Sequence, residues 1–209
     1  SLIMPYTENS PGIRYGEISI TDYPVVIDDP YYFTYRVMAA IPVLTIYDPD
    51  PNPFLQALFG NDSSILYRSV EIRQLAYSNL FSQSLIILNG VREISSGLAS
   101  ELNRYVNDGG HLVIFPPVSV PSPSLNSFMA SLGSRGYGSP DTNRQRISNI
   151  NIESDLYRDV FEKNSAGKII LPDNPDLPVI NRYYSMHQSP EKVPEILLRM
   201  DNNQPFLMT

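Results

Sequence analysis

The chain contains no cysteine, which removes thiolate nucleophiles, cysteine-based zinc sites and disulfides together. Compartment stays open on that count, because a cysteine-free chain suits a bacterial periplasm as well as a cytosol. Histidine is almost as scarce: His111 and His187 are the whole supply for base chemistry near neutral pH. No run of Lys or Arg occurs, and 15 basic against 22 acidic residues leave a formal charge of −7. Such a surface carries no footprint for a phosphate backbone, so nucleic acid is not an expected partner. No apolar run approaches the roughly 18 residues of a membrane span, and no signal peptide stands at the front. The chain opens Ser1-Leu2-Ile3-Met4-Pro5 and closes in or just after a strand. We therefore expect a piece excised from a longer protein, of which missing targeting signals say little.

What is present is enough for a core. At 209 residues, 42% hydrophobic, with eight Phe and fourteen Tyr, the chain can form one domain plus a small appendage. Charged residues are only 18%, yet the composition is not that of a disordered chain.

Residues 1–15 read as an irregular lead-in broken by Pro5, Pro11 and Gly12. Glu17–Ile27 and Tyr31–Met38 then read as an antiparallel hairpin around Asp28-Asp29-Pro30. Tyr31, Phe33, Tyr35 and Val37 share one face of its second strand. From Ile41 the texture changes. The run from Pro42 to Tyr47 is nearly continuous in apolar residues, as in a strand covered on both faces. Asn52 and Pro53 start a short helix that Gly60 stops. Ser64–Val70 is a more polar strand, placed near an edge, and Arg73–Ser82 holds a helical turn. The clearest unit comes next: Leu85–Leu88 is a buried strand ending at Asn89-Gly90. Ile94, Leu98, Leu102, Tyr105 and Val106 recur at helical spacing behind a Ser95 or Ser96 cap, and Gly109-Gly110 stops the helix. Leu112–Phe115 is a second buried strand. Strand, helix and strand over about thirty residues make a right-handed crossover and a partly parallel sheet.

Beyond it, prolines 116, 117, 121 and 123 mark an exit loop, and Leu125, Phe128, Met129 and Leu132 form a helix stripe. Residues 133–151 read as a long mobile loop. Ser154 caps a short helix with Leu156, Tyr157, Val160 and Phe161. Leu177–Tyr184 and Glu195–Met200 look extended, and Asp201-Asn202-Asn203 turns into Gln204–Met208 as a hairpin.

Few residues invite chemistry. His111 starts a strand and His187 follows Tyr183–Met186; a structural role is the expectation for both. Gly133-Ser134-Arg135-Gly136-Tyr137-Gly138 follows a helix, so it is neither a serine elbow nor a dinucleotide fingerprint. Asp48 and Asp50 stand at the carboxyl end of a buried strand, where open α/β sheets bind ligands. Two carboxylates there suit a divalent cation, but Asp-Pro-Asp-Pro is first of all turn material. Asn61-Asp62-Ser63 matches a glycosylation acceptor, a chance match in a bacterial protein. The tyrosines at 31–32 and 183–184 suit a sugar- or protein-binding face, or simply rings packed with their hydroxyls at the surface.

Leu85–Asn89, the helix ending Asn107-Asp108-Gly109-Gly110, and His111–Pro116 together resemble class I glutamine amidotransferase-like domains. More narrowly, residues 16–209 are similar to the extracytoplasmic segment of BatA-type, aerotolerance-associated bacterial membrane proteins. The stretches that carry this are Thr21-Asp22-Tyr23-Pro24 with Asp28-Asp29-Pro30-Tyr31-Tyr32-Phe33, Ile46-Tyr47, Pro53-Phe54-Leu55 and Ser95-Ser96-Gly97-Leu98. The resemblance implies a three-layer, flavodoxin-like α/β sheet in a parent anchored by transmembrane helices outside this chain. It also implies a β-rich region in front, which suits a hairpin extension over 1–40 and an α/β domain over 41–209. In active amidotransferases the strand matching Leu112–Phe115 leads into a turn bearing a cysteine nucleophile. Here the turn is Phe115-Pro116-Pro117, which offers neither a nucleophile nor a proline N–H for an oxyanion hole.

The expectation is thus a periplasmic, non-catalytic scaffold without metal or cofactor. Its strand-end crevice, near Asp48, Asn89 and Pro116, would take a protein partner or a small envelope ligand. Two alternatives stand beside it: a hydrolase using His187 with an unidentified Ser or Asp, and a module binding carbohydrate or peptidoglycan fragments.

Overall fold

A computed structural model describes residues 6–8, 10–19, 30–37, 39–134, 136–158, 160–164, 169, 177–186 and 194–209. The chain divides into two compact units, Ser1–Leu88 with Gly110–Val113, and Asn89–Gly109 with Ile114–Thr209.

The first unit opens with the antiparallel pair β1 (Gly12–Ser19) and β2 (Pro30–Val37), registered from Gly12↔Val37 to Ser19↔Pro30. The hairpin is present, but its first strand begins at Gly12, inside the stretch expected to be irregular. Gly12, read there as a breaker, is the strand's first residue. Further along, the Phe33 ring lies where a Cβ on Gly16 would stand, so the ring supplies the missing side chain across the pair. Residues 20–29, which include most of the expected first strand and its turn, lie outside the described residues. On β2, Phe33, Tyr35 and Val37 are half-buried on the predicted face, whereas Tyr31 is exposed.

β3 (Ile41–Tyr47) runs parallel to β4 (Ile65–Glu71), registered from Ile41↔Ile65 to Tyr47↔Glu71. With β5 (Leu85–Asn89) and β6 (His111–Phe115) they form a sheet in the order β4-β3-β5-β6. Val43, Leu44, Thr45 and Ile46 in β3 and Ile86, Ile87 and Leu88 in β5 are buried, as continuous apolar runs in inner strands should be. The polar β4 takes an edge, as its sequence indicated. β6 was expected to be buried like β5, but Leu112, Val113 and Ile114 are only half-buried and Phe115 is exposed; β6 is the other edge.

Helix α1 (Pro53–Phe59) begins where the Asn52 Oδ1 accepts the N–H groups of Phe54 (2.9 Å) and Leu55 (3.4 Å). Its Leu55 joins Val43 and Ile87 in a core flanked by Phe59, Ile65, Tyr67, Leu85 and Val113. The buried Thr45 hydroxyl accepts a hydrogen bond from the Tyr67 hydroxyl at 3.1 Å. In place of one helical turn, residues 72–79 hold two 3₁₀ turns, Ile72–Gln74 and Tyr77–Asn79.

In the second unit α2 (Ser96–Asn107) starts as its sequence indicates: the Ser95 Oγ accepts the Leu98 N–H at 3.2 Å. Leu98, Leu102 and Tyr105 are buried along one stripe, and Gly109, at φ 93°, ends the helix in a backbone region open to glycine. Helix α3 (Pro123–Ser131) buries Leu125, Phe128 and Met129. The two helices are linked where the Asn103 amide donates to the Ser131 Oγ at 2.9 Å.

The stretch 133–151, read as a mobile loop, instead contains β7 (Tyr137–Asp141) and β8 (Gln145–Ile150). Only Tyr137 and Ile147 in these strands are buried, too few to make a period visible, and the pairing comes from distant partners. β7 pairs antiparallel with β10 (Tyr183–Met186). A separate antiparallel sheet has the order β12-β11-β8-β9, with β9 at Val179–Ile180, β11 at Ile196–Met200 and β12 at Pro205–Met208. The expected β11–β12 hairpin is there, with Asn203 at φ 65° in its turn. Ser154 does cap Leu156 at 3.3 Å, but the capped element is a single 3₁₀ turn, Asp155–Tyr157, with Leu156 and Val160 exposed.

Candidate functional site

The three residues proposed for a strand-end crevice fall in different units. Asp48 follows β3 in the first unit; it is half-buried, and its bond to Pro49 is cis. Asn89 ends β5 and Pro116 follows β6, both in the second unit. There the two strand exits are tied together, the Gly90 N–H donating to the Phe115 carbonyl at 3.2 Å. Among the described residues no group of three or more His, Asp or Glu is placed to hold a metal ion.

The loop after β6 is fixed at both ends. At its start the Tyr184 hydroxyl, from β10, lies 3.0 Å from the Pro117 carbonyl oxygen, 3.3 Å from that of Val118 and 2.9 Å from that of Ser119. One phenolic proton serves three acceptors, so the loop's carbonyls gather around a single donor. Tyr184 is only 8% exposed. Its ring centroid is 5.6 Å from that of Tyr137, and the Arg182 guanidinium lies 6.0 Å from the same ring. The Tyr137 hydroxyl in turn donates to the Ile114 carbonyl at 3.4 Å. Burial, and then the neighbouring Tyr184, push the Tyr137 phenol up to about 12, so it stays a neutral donor. At the loop's far end the Ser122 N–H donates to the Arg92 carbonyl at 3.0 Å, and the Ser124 Oγ accepts the Ile94 N–H at 3.2 Å.

Between these anchors the loop faces solvent: Val118 is 80% exposed, Val120 61% and Phe115 42%. The clamp was not foreseeable from local sequence, because Tyr184 stands 67 residues from Pro117. A second polar cluster was also missed. The Tyr183 hydroxyl donates to the Asp141 Oδ2 at 2.7 Å and accepts from the Asn202 amide at 2.7 Å. The Asn143 backbone N–H and then the Tyr183 hydroxyl lower the Asp141 carboxyl; the same bond raises the Tyr183 phenol. This cluster joins β7, β10 and the β11–β12 turn.

Of the two histidines, His111 is exposed at the start of β6, and His187 lies outside the described residues. Gly133, at φ 74°, leaves α3, and Tyr137 already begins β7, so no strand precedes the glycine-rich stretch as an elbow would require.

No family model matches the chain, and no curated protein matches it. Among solved structures it is similar to a ThuA-like protein from Bacteroides uniformis, with a TM-score of 0.54 and 15% sequence identity. The match covers 86% of this chain and 72% of the other. The fold is class I glutamine amidotransferase-like. At this identity the likeness speaks for the fold, not for an activity. Within this amidotransferase-like fold, the turn after β6 is the proline-bearing loop that Tyr184 clamps.

Proposed function

We propose that the chain is a non-catalytic interaction domain of a membrane-anchored bacterial envelope protein, working on the periplasmic side. One observation carries the reading. Where the resemblance to active amidotransferases places a nucleophile, this chain has Phe115-Pro116-Pro117, and the carbonyls after it are tied to Tyr184. Neither Pro116 nor Pro117 has an N–H or a nucleophilic side chain, and the nearest phenols are spent as donors to backbone, so the two residues at the nucleophile's place supply neither an attacking group nor an oxyanion donor. The sheet order β4-β3-β5-β6 matches the first four positions of a flavodoxin-like arrangement, which supports the three-layer reading. The BatA-type resemblance supplies the anchored, aerotolerance-associated parent.

The test is turnover. Purified protein is incubated with glutamine and with panels of activated esters, amides and glycosides. The expected result is no hydrolysis above the rate without protein. Hydrolysis that disappears in His187→Ala overturns the reading in favour of the hydrolase.

A second reading has an observation of its own. On β2 the Tyr31 and Phe33 rings are 6.3 Å apart and 23° from parallel, and Phe33 and Tyr35 are 6.0 Å apart at 27°. With Tyr31 68% exposed, this ladder offers ring faces to a sugar chain. Titration with soluble peptidoglycan fragments decides it: binding that Tyr31→Ala abolishes supports the carbohydrate module, and absence of binding removes it.

A further inference from the structure

We infer that the loop from Phe115 to Pro121 is a preorganised docking element for a protein partner that brings an apolar pocket rimmed by hydrogen-bond acceptors. The inference rests on the interaction-domain reading and gives that surface a chemistry.

Three independent features of the second unit converge on it. First, the side chains the loop shows are apolar: Val118, Val120 and Phe115 are all exposed. From Gly109 to Ser134 there is no Asp, Glu, Lys or Arg, in a chain that is 18% charged. Charge depletion with exposed apolar residues marks the centre of protein interfaces rather than ordinary surface.

Second, the loop is rigid before any partner arrives. Pro116, Pro117 and Pro121 fix their own φ angles, Tyr184 holds the carbonyls, and Ser122 and Ser124 hold the exit. Exposed valines on a loop already held in shape carry little ordering entropy into a complex.

Third, the loop's hydrogen-bonding capacity is one-sided. The carbonyls of Pro117, Val118 and Ser119 are directed to the Tyr184 hydroxyl, whereas no protein acceptor takes the N–H groups of Val118, Ser119 or Val120 among the described residues. A partner therefore has donors to satisfy and few acceptors to use. It must offer carbonyl or carboxylate oxygens. Strand addition is disfavoured, since it needs donors and acceptors in alternation.

The charges around the loop agree with such a partner. Arg92 anchors Ser122 through its carbonyl, with Glu93 next to it in the sequence, and Arg182 lies over the Tyr184 ring. None of the three makes an ion pair among the described residues, so the exposed Arg182 guanidinium beside the clamp keeps its charge for a partner, in a chain of charge −7. An acidic or neutral partner surface fits it. An anionic lipid surface fits less well, because two arginines beside a glutamate are far short of a polybasic cluster.

Peptides selected on the wild-type protein from a phage-displayed random library serve as the probe. Their affinities are measured by fluorescence polarisation against wild type, Val118→Asp, Val120→Asp and Leu156→Asp, the last an exposed apolar position elsewhere in the second unit. Circular dichroism confirms that each variant folds. The expected peptides combine aliphatic residues with Asp, Glu or a free carboxylate. Val118→Asp and Val120→Asp should each weaken them by about tenfold or more, as at interface hot spots, and Leu156→Asp should not. Amide NMR shifts on peptide addition should be largest at Val118, Ser119 and Val120.

Peptides indifferent to both valine changes, or a selection yielding none, overturn the inference. So does co-sedimentation with phosphatidylcholine–phosphatidylglycerol vesicles that Val118→Asp abolishes, which would make the loop a lipid contact. The parent reading fails separately. Turnover lost in His187→Ala with peptide binding intact removes the inert-domain view and leaves the docking element standing.

Discussion

Tyrosine serves opposite purposes in the two units. In the first, Tyr6, Tyr15, Tyr31 and Tyr32 stand on or beside the β1–β2 pair with most of each ring in solvent. In the second, Tyr105, Tyr137 and Tyr184 are buried, and the last two aim their hydroxyls at backbone carbonyls of the strand and loop they support. Burial decides where a phenol matters energetically. A ring in water adds surface and little else; a buried ring contributes its area and leaves a stranded acceptor when its hydroxyl is removed.

Truncating Tyr184 should expose that contrast most strongly. Tyr184→Ala is expected to cost about 3–5 kcal/mol, as other large-to-small changes of buried aromatics do, read as a lowered denaturation midpoint in urea. A cost within about 0.5 kcal/mol, the range of ordinary surface changes, would erase the distinction between the units.

Alkali probes Tyr137. Its phenol is raised to about 12 in the folded chain, against an ordinary value of 10.0. The folded state therefore disfavours the phenolate. The associated stability is complete below pH 10 and is lost as pH climbs through 12. That loss amounts to about 2–3 kcal/mol. In Tyr137→Phe this part of the pH dependence should vanish from denaturation curves recorded between pH 9 and 12.

These two phenols also show how much could be read in advance. Leu85–Leu88, the α2 stripe, the Ser95 cap and the Asn52-Pro53 start were legible because each is a local pattern: a short apolar run, a helical period, a capping hydroxyl or amide. β7 was not. Tyr137-Gly138-Ser139-Pro140-Asp141 carries one buried residue, and what makes it a strand is β10, over forty residues later. The same holds for the candidate site. Pro116-Pro117 was visible as a proline turn, and Asn89 and Pro116 do lie on adjoining strand exits. The Tyr184 hydroxyl that organises the loop has no local signal, since a tyrosine near the end of a chain reads the same whether it clamps a loop or faces water.

Tyr67 tests the contrast from within the first unit, because it behaves like the tyrosines of the second. It donates to the buried Thr45 hydroxyl, so Tyr67→Phe should cost about 1 kcal/mol, measured by thermal or urea unfolding. The smallest effect is expected at Tyr15, 81% exposed on β1. Tyr15→Ser should stay within about 0.5 kcal/mol of wild type, and a larger loss would show that this ring is covered in solution.

The side chain of Asn126 in α3 has a consequence of a different kind. Its Oδ1 accepts the Tyr137 N–H and its Nδ2 donates to the Tyr137 carbonyl, both at 2.9 Å. One amide thus occupies both main-chain valences of a strand residue, as a neighbouring strand would. Deuterium should reach the Tyr137 amide only when the α3 end lets go, which makes helix and strand one opening unit in native-state exchange. The segment that looks least ordered in the sequence would then exchange at the pace of the helix before it.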